Sequence, residues 1–304
     1  MVDTIGNPLS WTAKEISQAG AHVAGWAGAL GGAPAAPRPQ VRRIGAADLR
    51  QALRRGTEDF LALRSDVAFL CLFYPVIGLA LCWVAFHQSM LPMVFPLLSG
   101  FALIGPGAAV GLYQMSRKRE RGEEAGWADA FAVLAEPAFG AMLVLGLFLM
   151  ATFAVWLLVA DGIYAATMGP ALPASAGAFL HALFSTGGGL ALIVLGLGSG
   201  FVFAALVLAV SLVSFPLLLD RNVGLPVAVA TSLAVTRESP GAVALWGGIV
   251  AGALVLGTIP ALIGLVVVVP ILGHATWHLY RAAVMPETPR SPLTAARPRR
   301  AAMH

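Results

Sequence analysis

Apolar residues in this chain come in long runs, not in the alternating patterns of half-buried elements. Six runs reach, or nearly reach, the roughly 20 residues an α-helix needs to cross a bilayer. They cover about 66–87, 91–115, 138–163, 187–218, 241–257 and 261–281. The last two share one apolar stretch with a turn at Gly257-Thr258-Ile259-Pro260, and because both are short a re-entrant hairpin is the alternative there. Outside the runs the pattern turns helical and two-faced. Before the first run Leu49, Leu53, Phe60 and Leu63 share one side of a helix over 46–63, with Arg50, Arg54, Arg55 and Glu58 on the other. Before the third run Trp127, Phe131 and Leu134 repeat the plan, and before the fifth Leu225, Val229 and Leu233 do so. Each reads as an amphipathic helix on the inner leaflet feeding a membrane hairpin. The expected fold is therefore all-α, with six transmembrane helices as three hairpins, each preceded by a cytoplasmic amphipathic helix.

The even runs also correspond to one another. Each carries a proline in one half: Pro106, Pro216 and Pro270. Tyr113 and Trp277 each follow their proline by seven residues, and Arg117 and Arg281 each follow by eleven, so the aromatics are expected at the interface. An internal repeat of this kind often frames a central site. The prolines free the carbonyls of Ala102, Leu212 and Val266, which either line a cavity or mark kinks sealed by neighbours. Gly107 with Gly111, Gly196 with Gly200, and Gly248 with Gly252 have the spacing that brings membrane helices close.

The membrane domain occupies 41–284. Residues 1–40 read as a peripheral helix near 12–30, opened by a Thr12-Ala-Lys-Glu15 capping box, followed by a Pro-rich linker. Residues 285–304 read as a disordered basic tail. The N-terminal residues lack the basic and apolar regions of a cleavable signal.

Composition agrees. Only 11% of residues are charged, 58% are apolar and the mean hydropathy is +0.82. A soluble domain carries about 25% charge, so too few charges remain here to coat a soluble surface. The net charge of +4 does not imply nucleic acid, because the basic residues flank the apolar runs instead of forming a face. Cys71 and Cys82, eleven residues apart, would lie roughly 16 Å apart on one helix, too far to bridge. The Lys and Arg residues precede run 1, follow run 2, lie between runs 4 and 5 and follow run 6, while the loops after runs 1, 3 and 5 have none. The positive-inside rule then places both termini in the cytoplasm of a multi-pass protein of the bacterial inner membrane.

Several stretches resemble a known family. They are Thr4-Ile-Gly-Asn-Pro-Leu-Ser-Trp11, Val41-Arg-Arg-Ile-Gly45 with Asp48-Leu-Arg-Gln-Ala-Leu53, Gly100-Phe-Ala-Leu-Ile-Gly-Pro106 with Gly111-Leu-Tyr113, Ser214-Phe-Pro-Leu-Leu-Leu-Asp-Arg221, and Gly273-His-Ala-Thr-Trp-His-Leu-Tyr-Arg281. The chain resembles over about 41–284 a proteobacterial family of integral membrane proteins known as domain of unknown function 2189. Ser65-Asp66 departs from the Ala-Pro that the family tends to place before the first span. The resemblance implies a membrane fold and no particular activity.

Candidate chemistry is sparse. His274 and His278 share a helix face at i and i+4, a spacing able to hold a metal or a haem, but they lack further ligands; His87 and His181 fall on the outer side. Hydrogen bonding between helices is the favoured role, with a head-group or partner contact as the alternative. Ser199 lies in Gly196-Leu-Gly-Ser-Gly200, which lacks the Gly-x-Ser motif of rhomboid proteases and reads as close packing. Asp161, the one acid on the outer side, is expected to begin a loop over 161–186 in water. Apart from Asp66 and Arg281 at the ends of runs, no other charge lies inside one, which disfavours ion-coupled transport. The residues with the best claim to a functional or ligand contact are His274, His278, Pro106, Pro270, Arg117 and Arg281, with no catalytic set, no metal site and no cofactor. The expected function is a non-enzymatic scaffold, assembly or accessory protein in contact with membrane lipids and other membrane proteins. The alternatives are a permease-like carrier of a neutral or lipophilic compound and, behind it, a haem- or metal-binding redox protein.

A cytoplasm-only reporter fused after Arg281 is expected to be active, and so is a periplasm-only reporter inserted near Ala174. Periplasmic activity of the C-terminal fusion would overturn the orientation.

Overall fold

The computed structural model describes residues 39–63, 71–87, 91–171 and 173–286. The expected helix near 12–30, most of the linker, the tail beyond 286 and the first turn of the run from Asp66 lie outside these residues. Among the described residues the chain is all-helical, with an isolated antiparallel bridge between Val41 and Val284.

The helices in chain order are α1 (Ala46–Ala62), α2 (Phe73–His87), α3 (Val94–Leu103), α4 (Gly105–Ala108), α5 (Val110–Glu120), α6 (Asp129–Ala132), α7 (Phe139–Met168), α8 (Ala176–Ser185), α9 (Gly187–Ser211), α10 (Ser214–Asp220), α11 (Leu225–Glu238), α12 (Pro240–Thr258) and α13 (Leu265–Ala283). Three are long and apolar enough to cross a membrane: α7, α9 running on through α10, and α12. The helix over Phe73–Phe86, the stretch Leu91–Leu103 and α8 are apolar but shorter. At 1.5 Å per residue the 30 residues of α7 extend about 45 Å. Large apolar side chains on these helices face outward, among them Leu158, Phe201 and Val255, as expected of surfaces that meet hydrocarbon.

Several expectations are adjusted. Asp161 does not begin a loop: α7 continues to Met168 and α8 fills most of the segment that follows, because 162–168 and 176–185 are themselves helix-compatible. Asp161 remains exposed on the flank of α7. The stretch that opens with a 3₁₀ turn at Leu91–Met93 is broken at Ile104 and at Ala109, around Pro106. The three helices that precede the apolar runs are unequal, with 17, 4 and 14 residues, so a threefold repeat is not uniform. Trp127, Phe131 and Leu134 stay exposed. On α11 the buried side is Ala228, Thr231, Ser232 and Val235, one position off the expected stripe.

The largest departure concerns α1. Its buried side, Leu49, Ala52, Gly56 and Asp59, is covered by α13 and is not turned to lipid. The two helices approach so closely at Gly56 that a Cβ there would stand 2.5 Å from the Ala275 backbone nitrogen. Tyr113 and Trp277 are likewise buried within the bundle. The glycine pairs divide: Gly107, Gly111 and Gly200 meet Phe215, Ala130 and Trp156, whereas Gly196, Gly248 and Gly252 face open space.

The break before Pro216 is repaired from outside. Ser232 of α11 accepts from the Val213 N–H at 3.4 Å and donates to the Ala209 carbonyl at 2.7 Å. A freed backbone group in an apolar setting needs such a partner. Deeper in the bundle, Trp156 fills the space between α7 and α9 and donates from Nε1 to the Pro96 carbonyl at 3.0 Å. The turn between α12 and α13 puts Ala261 and Leu262 at positive φ. It is tight enough that a Cβ on Gly264 would lie 2.8 Å from the Gly257 oxygen.

Gly56→Val is expected to lower stability by about 3 kcal/mol or more, since the clash is with backbone and cannot be relieved by a rotamer. Gly248→Ala is expected to be neutral. Thermal unfolding of the two variants in detergent checks the contrast, and equal midpoints would refute the α1–α13 contact.

Candidate functional site

Polar side chains gather at the end of the bundle where the arginines lie. The centre is Asp59, which projects from α1 toward α5 and α13 and is 6% exposed. Its Oδ2 accepts from the Ser116 hydroxyl at 2.6 Å and from His278 Nε2 at 2.9 Å, and its Oδ1 accepts from Arg119 Nε at 2.9 Å. Ser116 has spent its single proton on Asp59, so its oxygen must accept from His274 Nδ1, 2.8 Å away. This assigns the Nδ1–H form to His274 and leaves its Nε2 an acceptor with no partner among the described residues. Carboxylate, hydroxyl and the two imidazoles thus link three helices.

A second set lies beside the first. Glu120 at the end of α5 accepts from Trp277 Nε1 and from Arg281 Nε, each at 3.0 Å. Asp220 at the end of α10 accepts from the Tyr280 hydroxyl at 2.6 Å and from Arg281 Nη1 at 3.3 Å, with Arg221 3.7 Å away. Arg117, itself buried, pairs with Glu136 and donates to the Leu219 carbonyl, so that α10 is held at its last turn. Lys118 pairs with Asp129 at 2.9 Å. Near the ends of the described chain Arg42 reaches both the Ala282 carbonyl at 2.9 Å and Asp48 at 2.7 Å.

Electrostatics follow from these contacts. Burial pushes the Asp59 carboxyl upward, but the hydrogen bonds from His278 and Ser116, the His278 charge and the Arg119 contact outweigh it and hold the group at about 2, against 3.8 for an ordinary aspartate. Asp129 is lowered by Lys118 and by the Gly126 N–H. At Asp48 burial again opposes, and the Gly45 N–H and Arg42 win. Such buried pairs add little net stability compared with apolar packing, but removing one partner leaves a buried charge uncompensated.

Two clefts open at this end. One, of about 180 Å³, is lined by Arg42, Asp48, Gln51, Arg55, His278 and Arg281. The other, of about 240 Å³, is lined by Arg55, Glu58, Asp59, Arg119, Glu120 and His278.

Four of the six residues singled out from sequence therefore meet here: His274, His278, Arg281 and Arg117. Pro106 and Pro270 do not; Pro106 starts α4 and Pro270 lies within α13, one turn before His274. Ser199 donates to the carbonyls of its own helix, Leu195 and Gly196. Among the described residues no three His, Cys, Asp or Glu side chains are grouped to hold a metal. Asp59, Ser116, Arg119, Glu120 and Asp220 are site residues that the sequence reading passed over. For Asp59 a signal exists: positions 49, 52, 56, 59 and 63 follow the spacing of one helix face, so the aspartate sits among residues destined for burial.

Residues 93–220 match the model of the family described as "Predicted integral membrane protein (DUF2189)". No curated protein and no solved structure matches the chain. The matched segment runs from the start of α3 to the end of α10. It thus contributes Ser116, Arg117, Arg119, Glu120 and Asp220 to the network, while α1 and α13 supply Asp59 and the histidines.

Because the folded Asp59 titrates below the unfolded value, its stabilisation is complete above about pH 4 and is lost as pH falls through about 2. The wild-type protein is expected to lose thermal stability over that window. Asp59→Ala should be less stable by about 3 kcal/mol at pH 7 and show a shallower acid slope. A variant as stable as wild type at pH 7 would show that the carboxylate does not hold the three helices.

Proposed function

We propose that this integral membrane protein, which carries the DUF2189 segment over 93–220, is a six-span, non-enzymatic scaffold of the bacterial inner membrane with both termini in the cytoplasm. To α7, α9–α10 and α12 the proposal adds α2, the broken stretch α3–α5, and α13 as crossing segments. The segregation of Lys and Arg supports this topology. On it, the ion network and both clefts belong to the cytoplasmic face, where α1 packs on α13 and α11 lies beside the end of α9.

The observation that carries the scaffold reading is the contrast between the two halves of the bundle. At the arginine-rich end, polar groups are locked to one another and clefts open to solvent. In the apolar half, Trp156, Leu149 and Trp246 are almost wholly buried side chains packed between the helices. A carrier needs a water-accessible site near midplane. The broken helices speak for the carrier, but the break at Leu212–Val213 is closed by Ser232. The partners of such a scaffold are membrane lipids and other membrane proteins bound at the cytoplasmic platform.

Thr152 is buried in the apolar part of α7 and tests the choice. In a background with Cys71 and Cys82 replaced by serine, a Thr152→Cys protein is expected to resist a membrane-impermeant maleimide from both sides until denatured. Ready labelling in the folded protein would favour the carrier.

A further inference from the structure

We propose that the 180 Å³ cleft between α1 and α13 binds a phosphate group, carried by a lipid head group or by a small soluble phosphate ester. Three guanidiniums, Arg42, Arg55 and Arg281, line it together with the Gln51 amide and the His278 imidazole, against one carboxylate, Asp48. Two of the arginines, Arg42 and Arg281, are set in place with donors to spare. Arg42 uses Nε and Nη2 on Ala282 and Asp48, leaving Nη1. Arg281 uses Nε and Nη1 on Glu120 and Asp220, leaving Nη2. Arg55 has no ion-pair partner among the described residues, whereas its neighbour Arg54 is 3.6 Å from Glu58. A tetrahedral oxyanion is the ligand that several converging N–H donors recognise, and donors already fixed by other contacts lose little freedom on binding it.

The neighbouring cleft provides an internal contrast. It shares Arg55 and His278, but there Glu58, Asp59 and Glu120 outnumber the guanidiniums, so an anion has reason to choose only the first. The size of the first cleft also restricts the ligand. It is smaller than the roughly 300 Å³ and more that enclose a drug-sized molecule, which suits a phosphate with its ester link and not a whole nucleotide. The inference rests on the proposed topology only for placing the cleft at the level of the cytoplasmic head groups; the donor set itself does not depend on orientation.

The test is binding to the full chain in detergent at fixed ionic strength, read as ligand-dependent thermal shift and by calorimetry. The probes are dioctanoyl phosphatidylglycerol, dioctanoyl phosphatidylcholine, glycerol 3-phosphate and inorganic phosphate. One anionic phosphate probe is expected to bind saturably, about tenfold more weakly to Arg55→Gln, and unchanged to Arg54→Gln, which alters the same helix outside the cleft. Phosphatidylglycerol binding alone identifies a lipid head group, and binding of the soluble phosphates with the same Arg55 dependence identifies a soluble ester. The proposal is overturned if no anionic probe saturates, if phosphatidylcholine binds as tightly as phosphatidylglycerol, or if Arg54→Gln weakens binding as much as Arg55→Gln. Since the measurement is made in detergent, a failure here is distinguishable from a failure of the topology, which the reporter fusions read independently.

Discussion

A carboxylate cannot be left bare away from water, and Asp59 is almost wholly covered. That constraint organises the arginine-rich end of the bundle. Its oxygens need donors, and those donors come from two other helices: Ser116 and Arg119 on α5, His278 on α13. Satisfying all of them at once sets the register of α1 against both neighbours. It requires the close approach at Gly56, and it leaves the second imidazole, His274, to be fixed through the Ser116 hydroxyl. Apolar surfaces alone would permit α1 to slide along α13, whereas a carboxylate with three directional partners does not.

The division of labour along the bundle follows from solvent. Backbone groups buried away from water must be satisfied within the protein, and this is what Ser232 does at the interrupted ladder of α9 and α10. At the arginine-rich end charged side chains are carried, and they tie helix ends together. Arg117 secures the last turn of α10, and Arg281 joins the ends of α5 and α10. Each of these arginines has two or more partners, which gives direction to the contact as well as charge.

The membrane character, the approximate limits of most apolar helices and the shared polar face of α13 were legible in the runs and in the spacing of His274, His278 and Arg281. What covers each face was not. The Leu49 face of α1 has the composition of a leaflet-bound helix, and nothing local distinguishes lipid from α13 as its cover; Gly56, the residue that permits the helix contact, has no side chain to signal it. Asp59 was hidden for a related reason. An acid in a stretch rich in arginine reads as part of the solvated side, although its register places it with the buried residues. Glu120 and Asp220 lie beside arginines in sequence but pair across the fold with Arg281, a partner about sixty or more residues distant. Helix continuation past Asp161 was obscured because an acid after a long apolar run resembles an exit into water.

The bridge between Val41 and Val284, with Arg42 donating to the Ala283 carbonyl at 2.8 Å and Met285 to the Gln40 carbonyl at 2.9 Å, joins the two ends of the described bundle. During synthesis these ends are the most widely separated in time. α1 leaves the ribosome before the apolar helices described above, yet Asp59 has no imidazole partner until α13 has been made. The first helix must therefore wait, incompletely partnered, through the insertion of everything between, and the last helix closes the ring. A chain interrupted before His278 would retain most of its membrane helices and leave Asp59 held by Ser116 and Arg119 alone, which makes the closing contact a mark by which a finished molecule differs from an unfinished one.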